Sequence, residues 1–303
     1  YNRESANLLF DVPLPLSSGS EDIPRNIGTL YNRGFEVSLD YDVVKNENFN
    51  WNIGLNATTI KNEFKKLPQD EILRGSKKLV IGRSIYDYWL KDWYGVDPAD
   101  GAALYTANED AIDANGSDIR VIDGNTLTTN QSNAAFHYAG TAIPDLIGAI
   151  NNSIRYKNFN LSFLFTYQIG GESIDYNYQS IMSSGGYGTA KSVDILKRWQ
   201  QPGDITDVPR LDASQTTNFN ATSDRWLVDA SFLNMKRINF SYNLPSNFIS
   251  SMGINTAQLY LSAENVFSIN ARQGLNIQQN FSGTTSNVYT PSRIVSLGLN
   301  VKF

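Results

Sequence analysis

Apolar and polar residues alternate along several stretches of this chain, and the pattern is sharpest at residues 295–303. Every second residue there is apolar, and the residues between them are Ser296, Gly298, Asn300 and Lys302. A period of two predicts a β-strand with one apolar and one polar face. Taken alone, this segment fits a strand of a soluble sandwich as well as the closing strand of an outer-membrane barrel.

A predicted hairpin carries the same alternation. Residues 34–43 and 48–57 each place large apolar side chains on one face, and a short turn joins the two strands. The opposite face of the first strand carries the carboxylates Glu36, Asp40 and Asp42. Three carboxylates are costly in a dry core, whereas a barrel strand has lipid on one side and a water-filled lumen on the other. We therefore predict that these carboxylates face a lumen, where they either contact a substrate or a plug, or line a solvated interior.

The pattern recurs often enough to predict about ten antiparallel strands. The remaining strands are expected at residues 1–10, 82–94, 102–107, 146–156, 159–168, 231–243 and 257–267. Short turns, one of them at residues 96–101, alternate with long polar loops. We expect the long loops at residues 11–27, 61–81, 108–145, 170–225 and 270–289. Because outer-membrane barrels have short turns at one end and long loops at the other, the sequence favours an all-β, antiparallel transmembrane β-barrel.

Composition narrows the possible functions. The chain has 303 residues, a formal charge of -5 and no cysteine, which excludes disulfides and thiol catalysis. Its acidic balance argues against a nucleic-acid partner. No apolar run approaches the roughly 18 residues of a membrane helix, so a membrane location depends on strands. The first residues lack the basic and apolar regions of a signal peptide, and we expect a mature protein or a fragment.

Several short motifs occur in a fixed order along the chain. They are NIG at 26–28, NRGFE at 32–36, GVDPADG at 95–101, FNLS at 159–162, RWQQPGD at 198–204, VPR at 208–210, DASFL at 229–233 and AENVF at 263–267. Together they resemble the C-terminal half of the SusC/RagA family of TonB-dependent transporters of the Bacteroidetes outer membrane. One departure is Asn234, which stands where the family commonly has an arginine.

The resemblance implies both an architecture and a function. Residues 1–303 would form one region, the C-terminal part of a larger plugged barrel, with the signal peptide, the plug and the first barrel strands outside it. The family imports oligosaccharides or oligopeptides through the outer membrane, with a SusD-like surface lipoprotein as partner and energy supplied by TonB through the plug. It implies no enzymatic activity and no cofactor.

Two other interpretations remain open at this point. A free-standing barrel of about ten strands would be a pore or a protease, and a soluble β-sandwich would be a glycan-binding module. The protease depends on His137, the only histidine, for which we favour an ordinary loop hydrogen bond. Residues 113–118 resemble the start of a calcium loop, but Ser117 and Asp118 depart from its ligand pattern. We therefore predict an Asx-rich loop and no metal.

An aromatic cluster occupies residues 85–94. Its members are Tyr86, Tyr88, Trp89, Trp93 and Tyr94. Tyr86 and Tyr88 are candidates for stacking on sugar rings in a lumen, and the alternative is an aromatic girdle at the membrane boundary, which we favour.

The loop predicted at residues 170–225 is longer than a connection needs. Arg198, Trp199 and Arg210 lie within it and have the composition of an interface anchor. Two interpretations are equally compatible with the sequence. These residues either contact the SusD-like partner that the resemblance implies, or they pack within the loop itself.

Overall fold

Seven antiparallel strands form the main sheet of the protein. The computed structural model describes all residues except 14–16, 18, 20–21, 111, 114–115, 185–187, 273, 276–282 and 285–289. The strands of the main sheet are β3 (Glu36–Lys45), β4 (Phe49–Thr58), β14 (Leu146–Tyr156), β15 (Phe159–Ile169), β18 (Phe232–Asn243), β19 (Thr256–Asn270) and β20 (Ile294–Lys302). Their order in space is β20-β19-β18-β15-β14-β4-β3. Every neighbouring pair is antiparallel, which confirms the predicted all-β antiparallel fold.

Strand register separates the two faces of this sheet. Paired residues form apolar rows that cross it, such as the row Leu39, Leu55, Ile150, Phe165, Met235 and Phe267. A polar row on the opposite face contains Asp42, Asn52, Ser153, Ser162, Asn239, Ser262 and Ser296. The apolar face is uncovered, because Leu39 is 56% exposed and Leu297 is 72% exposed. One exposed apolar face and one polar face are what a wall between lipid and a lumen requires.

A second sheet extends the hairpin of β3 and β4. It contains β1 (Asn2–Pro13), β2 (Asp22–Arg33) and β5 (Lys61–Lys66), in the order β1-β2-β5. Strand β2 continues into β3 across Gly34, and β4 continues into β5 across Thr59. Gly34 is required there because a Cβ would collide with the carbonyl oxygen of Thr59. The Thr59 hydroxyl accepts a hydrogen bond from the Phe35 amide at 3.1 Å, which fixes the break between the sheets.

Two chain segments, residues 67–145 and 170–231, fold together into a unit that we call the cap. Its strands are β6 (Glu71–Arg74), β7 (Lys77–Val80), β8 (Asp87–Lys91), β9 (Trp93–Val96), β10 (Ala103–Thr106), β11 (Ile119–Ile122), β12 (Asn125–Thr128), β13 (Phe136–Thr141), β16 (Glu172–Ile174) and β17 (Leu227–Asp229). The cap also contains the short helices α1 (Tyr176–Ile181) and α2 (Thr216–Phe219). A third helix, α3 (Ser246–Ile249), lies in the turn between β18 and β19.

A hydrophobic core built from both segments holds the cap together. Tyr88 and Leu90 come from the first segment and pack against Ile174, Phe219 and Trp226 of the second. Trp226 is 2% exposed, and its indole N–H donates to the Ala221 carbonyl at 2.9 Å. Burying an aromatic ring with its polar atom satisfied stabilises the contact between the two segments. Among the described residues, no helix has the length and apolar character that crossing a membrane would take.

The cap corrects two strand assignments made from the sequence. Residues 82–94 and 102–107 do contain strands, but these belong to small sheets of the cap and not to the main sheet. The turn at residues 96–101 joins β9 to β10 inside the cap, so it is not one of the short turns of the main sheet. The reason is that β10 is buried on both faces, with Leu104 and Tyr105 both almost inaccessible, and it therefore has no lipid-facing side.

Replacement of one residue on each face of β19 tests the assignment of the two faces. Leu261 lies in an apolar row between Phe240 and Leu297, whereas Ser262 lies in a polar row between Asn239 and Ser296. We expect Leu261→Arg to destabilise the folded protein in the membrane by about 2–4 kcal/mol, and Ser262→Arg by less than about 1 kcal/mol. Heat-dependent gel mobility of the protein from membranes measures the folded fraction. Equal losses in both variants would contradict the assignment.

Candidate functional site

The polar face of the main sheet carries two of the three predicted carboxylates side by side. The Asn52 amide donates to Asp40 Oδ1 at 2.8 Å and to Asp42 Oδ1 at 3.0 Å, and Lys45 Nζ lies 3.1 Å from Asp42 Oδ2. Glu36 is on the same face but pairs with Thr58 at the other end of the strand. Asp40 and Asp42 are thus already engaged by neighbouring side chains, and Glu36 stands apart from them.

A cavity of about 460 Å³ lies where the polar face meets the cap. Its residues from the sheet include Asn56, Thr58, Ile147, Thr166, Gln168 and Phe232, and its residues from the cap include Tyr86, Ile143, Pro144, Glu172 and Ser173. Asn32, Ile60 and Asn62 complete one side. The lining therefore mixes amides, hydroxyls and one carboxylate with aliphatic side chains, as small-molecule and peptide sites do.

The two tyrosines predicted to face a lumen have different environments. Tyr86 lines the cavity, and its carbonyl oxygen accepts a hydrogen bond from Lys77 Nζ at 2.7 Å. Tyr88 is fully buried, and its hydroxyl donates to the Glu172 carbonyl at 2.9 Å. Burial raises the pKa of Tyr88. The Tyr88 ring supports the cap core in this structure and is not accessible for stacking on a solute.

The rest of the aromatic cluster also belongs to the cap, which corrects the membrane-girdle interpretation. Trp89 stacks on Phe136 with ring centroids 6.2 Å apart and meets Tyr138 edge-on at 4.8 Å. Trp93 packs edge-on against Tyr105 at 5.2 Å. Trp89 lies on β8 and Trp93 lies on β9, and both strands pair with cap strands and not with the main sheet. The sequence cluster reflects packing within a folded loop.

The predicted anchor residues Trp199 and Arg210 clamp the turn at residues 98–101. The Trp199 indole N–H donates to the Pro98 carbonyl at 3.1 Å, and Arg210 Nη1 donates to the Asp100 carbonyl at 2.6 Å. The Arg210 amide also donates to the Gly101 carbonyl at 2.9 Å. These contacts match the internal-packing interpretation of both residues. Arg198 lies at the end of the 3-10 helix Val193–Lys197 and forms no ion pair with a described residue.

Sequence reasoning missed an apolar surface beside Arg198. Val193 is 79% exposed, Leu196 is 66% exposed and Ile205 is 97% exposed. The sequence gives a weak signal, because isolated apolar residues in a polar loop are common. The folded cap nevertheless leaves all three uncovered within a short stretch of chain.

One group of side chains among the described residues has the spacing of metal ligands. Asp92, His137 and Asp224 offer three ligand atoms within 4.8 Å of one another. His137 Nε2 lies 3.0 Å from Asp224 Oδ2, and the Trp93 amide donates to Asp224 Oδ1 at 2.9 Å. Burial raises the pKa of Asp224. The hydrogen bond accounts for the position of His137, which joins β13 to the 3-10 helix Asp224–Trp226.

The predicted calcium-like loop is described only in part. Residues 114 and 115 lie outside the described residues. Asp118 at its end accepts hydrogen bonds from Asn133 Nδ2 at 2.9 Å and Thr128 Oγ1 at 3.0 Å. The hydrogen bond from Asn133, together with that from Thr128, lowers the pKa of Asp118. The Asp118 carboxylate therefore connects the loop to β12 through the hydrogen bond from Thr128.

Comparison with known proteins identifies relatives over the whole chain. No family model matches it. TonB-dependent receptor P3 of Formosa agariphila is 30% identical over 332 residues, and the match covers 100% of this chain and 32% of that receptor. TonB-dependent receptor SusC of Bacteroides thetaiotaomicron is 23% identical, with 100% of this chain and 29% of the receptor covered. The chain thus spans about a third of the length of the curated relatives that it matches.

A solved structure matches the fold. The RagAB peptide importer in its closed-closed state superimposes with a TM-score of 0.81 and 23% sequence identity, covering 100% of this chain and 33% of that chain. At this identity the likeness establishes the fold. With the sequence relatives, it confirms the resemblance to SusC/RagA-type TonB-dependent transporters that the motifs predicted.

Replacing Gly101 by alanine tests the clamp on the turn. Gly101 has φ +75°, and a Cβ there would lie 2.5 Å from the Trp199 ring, whereas Gly203 has φ +96° and open space around it. Gly203→Ala therefore measures backbone strain alone, about 1 kcal/mol. We expect Gly101→Ala to cost about 2–4 kcal/mol, because the collision adds to the strain. Proteolysis of the cap should accelerate more in the Gly101 variant, and equal rates would exclude the clamp.

Lys77 should make the stability of the cap depend on pH. Its ammonium lies 3.4 Å over the Tyr88 ring, and burial lowers its pKa from 10.5 to about 8. Between these two values only the unfolded chain retains the proton, so stability rises as the pH rises through this range. Relative to Lys77→Met, we expect the native protein to gain on the order of 1–3 kcal/mol between pH 8 and 10. Denaturant unfolding followed by tryptophan fluorescence measures this gain, and parallel pH profiles would contradict it.

Proposed function

We propose that the chain is the C-terminal part of a SusC/RagA-type TonB-dependent transporter. The reason is that its whole length matches about a third of the length of such receptors. The transporter imports oligopeptides or oligosaccharides through the outer membrane. A plug and further strands complete the barrel, and TonB acts on the plug to supply energy. The chain acts in uptake and not as an enzyme.

The separation of the two faces of the main sheet is the observation that supports this proposal best. Exposed apolar rows on one side suit contact with outer-membrane lipid, and polar rows on the other suit a solute passage. On the polar face, the cavity below the cap is lined by Thr58 and Gln168. A solute that entered from the cap side would reach this cavity before the carboxylates Asp40 and Asp42, which lie further along β3 from the residue paired with Thr58.

The cap supplies a surface for the SusD-like lipoprotein that we propose as partner. Val193, Leu196 and Ile205 are exposed beside Arg198. Protein interfaces combine apolar residues with arginine at their centre. Trp199 and Arg210 would contribute indirectly, because their hydrogen bonds to the turn at residues 98–101 fix the chain that follows Arg198.

The proposal is tested first on the native protein in its membrane. An antibody against residues 198–210 should detect, in detergent-solubilised outer membranes, a denatured band roughly three times heavier than 33.8 kDa, since the chain spans about a third of its relatives. Deletion of the gene should abolish uptake of a labelled oligopeptide or oligosaccharide, and so should collapse of the proton gradient. A band near 33.8 kDa would instead favour a small pore or a protease, and a protein soluble without detergent would favour a sandwich module.

A further inference from the structure

The carboxylate of Glu172 is held in place at the wall of the cavity. Glu172 lies in β16, which pairs with β17, and its carbonyl oxygen accepts the Tyr88 hydroxyl hydrogen bond. Its Oε2 atom lies against Gly140, where the absence of a side chain leaves room for it. The backbone of this residue is therefore fixed by the Tyr88 hydrogen bond, and its carboxylate packs against Gly140.

This carboxylate lacks a hydrogen-bond partner among the described residues. Glu172 Oε2 is buried without one, and so is the hydroxyl oxygen of Thr166, which lines the same cavity. Buried polar atoms are nearly always paired in folded proteins, and an unpaired charged atom is especially unfavourable. Two residues that line one cavity thus each carry an unpaired polar atom, which indicates a place where a bound group, with a small movement of these side chains, completes the hydrogen bonding.

The charge around the cavity is negative. None of the described residues that line it is a lysine or an arginine. Burial raises the pKa of Glu172, and the nearby carboxylates Asp229 and Asp224 raise it further. An ionised Glu172 is therefore uncompensated, and a cation that enters the cavity would relieve the unfavourable charge.

Part of the remaining wall is apolar. Ile60, Ile143, Pro144, Ile147 and Phe232 supply this part, beside the amide side chains described above. A lysine side chain has a matching construction, with an apolar stem that packs on such surfaces and a charged end that seeks a carboxylate. An uncharged sugar ring would leave Glu172 desolvated without a counter-charge.

From this geometry we propose that the cavity binds an alkylammonium group of an imported oligopeptide, with Glu172 as the recognising carboxylate and Thr166 as a second hydrogen-bond partner. The group is either a lysine side chain or the amino terminus of the peptide. This inference rests on the proposed function, because the cavity has access to substrate only if the polar face lines the transport path. It selects peptides over oligosaccharides as the substrate class.

Three probes test the proposal on the complete transporter purified in detergent. The first is an N-acetylated alanine pentapeptide with one central lysine, the second has norleucine in place of lysine, and the third is the norleucine peptide with a free amino terminus. We expect the lysine peptide to bind about tenfold more tightly than the acetylated norleucine peptide. Preferential binding of the third probe would identify the amino terminus as the bound group. Equal affinity of all three would overturn the proposal.

Substitutions then assign the preference to Glu172. Glu172→Gln keeps the size of the side chain and should remove the roughly tenfold preference for the ammonium peptide. Asp229→Asn removes the same charge from an exposed neighbour whose carboxylate accepts the Ser231 amide hydrogen bond at 2.8 Å, and it should retain most of the preference. Loss of the preference in both variants would show a general effect of charge and would overturn the assignment. If Glu172→Gln does not fold, the three probes on the native protein still decide the proposal.

Uptake by cells separates this inference from the proposed function. Energy-dependent import of the norleucine and lysine peptides at equal rates and affinities would leave the transporter intact and reject the ammonium site. Import of an oligosaccharide with no peptide binding would reject the site and the choice of peptides. The raised pKa of Glu172 gives a further test of the site. The preference for the ammonium peptide should grow as the pH rises and Glu172 ionises.

Discussion

The register of the main sheet is the constraint on which the rest of the structure depends. A shift of one residue between any two strands would move every apolar side chain of one strand to the polar face. The rows that run through Leu39 and through Asp42 keep their character across the sheet because the pairing is uninterrupted except at bulges. At the bulge between Met235 and Arg237, β18 has one residue more than β15 and β19 has one more than β18, and the rows are kept on both sides.

Alternation in the sequence was sufficient to predict the strands of the main sheet. Residues 146–156 form β14 with the predicted limits, and the other strands of the sheet differ from prediction by up to three residues at their ends. The pattern is reliable there because each strand has a different environment on each face. It failed for β2, which contains Pro24 and Gly28 without alternation. It also failed to separate cap strands from wall strands, since a strand buried on both faces carries no periodic signal of its surroundings.

The candidate site was only partly accessible from the sequence. Asp40 and Asp42 could be placed on the polar face because their strand alternates. Glu172 could not be found, because its environment depends on Gly140, which is distant in sequence, and on a cavity that forms only where the cap meets the sheet. For the same reason the sequence left open whether Trp199 contacts a partner or packs within its loop, and it did not show that Tyr88 lies in a core, whereas tertiary contacts give both residues partners within the cap. Local pattern determines the face of a strand, and it does not determine which loop covers it.

The division of the cap core between two segments has a consequence for biogenesis. Tyr88 precedes the hairpin of β14 and β15, its partner Glu172 follows it, and 84 positions of chain separate the two. Contacts between such distant residues form late, because the intervening chain must first be closed into a loop. The hairpin performs that closure when it joins the sheet. We therefore expect the contacts between the two cap segments to form only after the hairpin has joined the sheet, whereas local hairpins such as β6–β7 and β11–β12 can form within one segment before that.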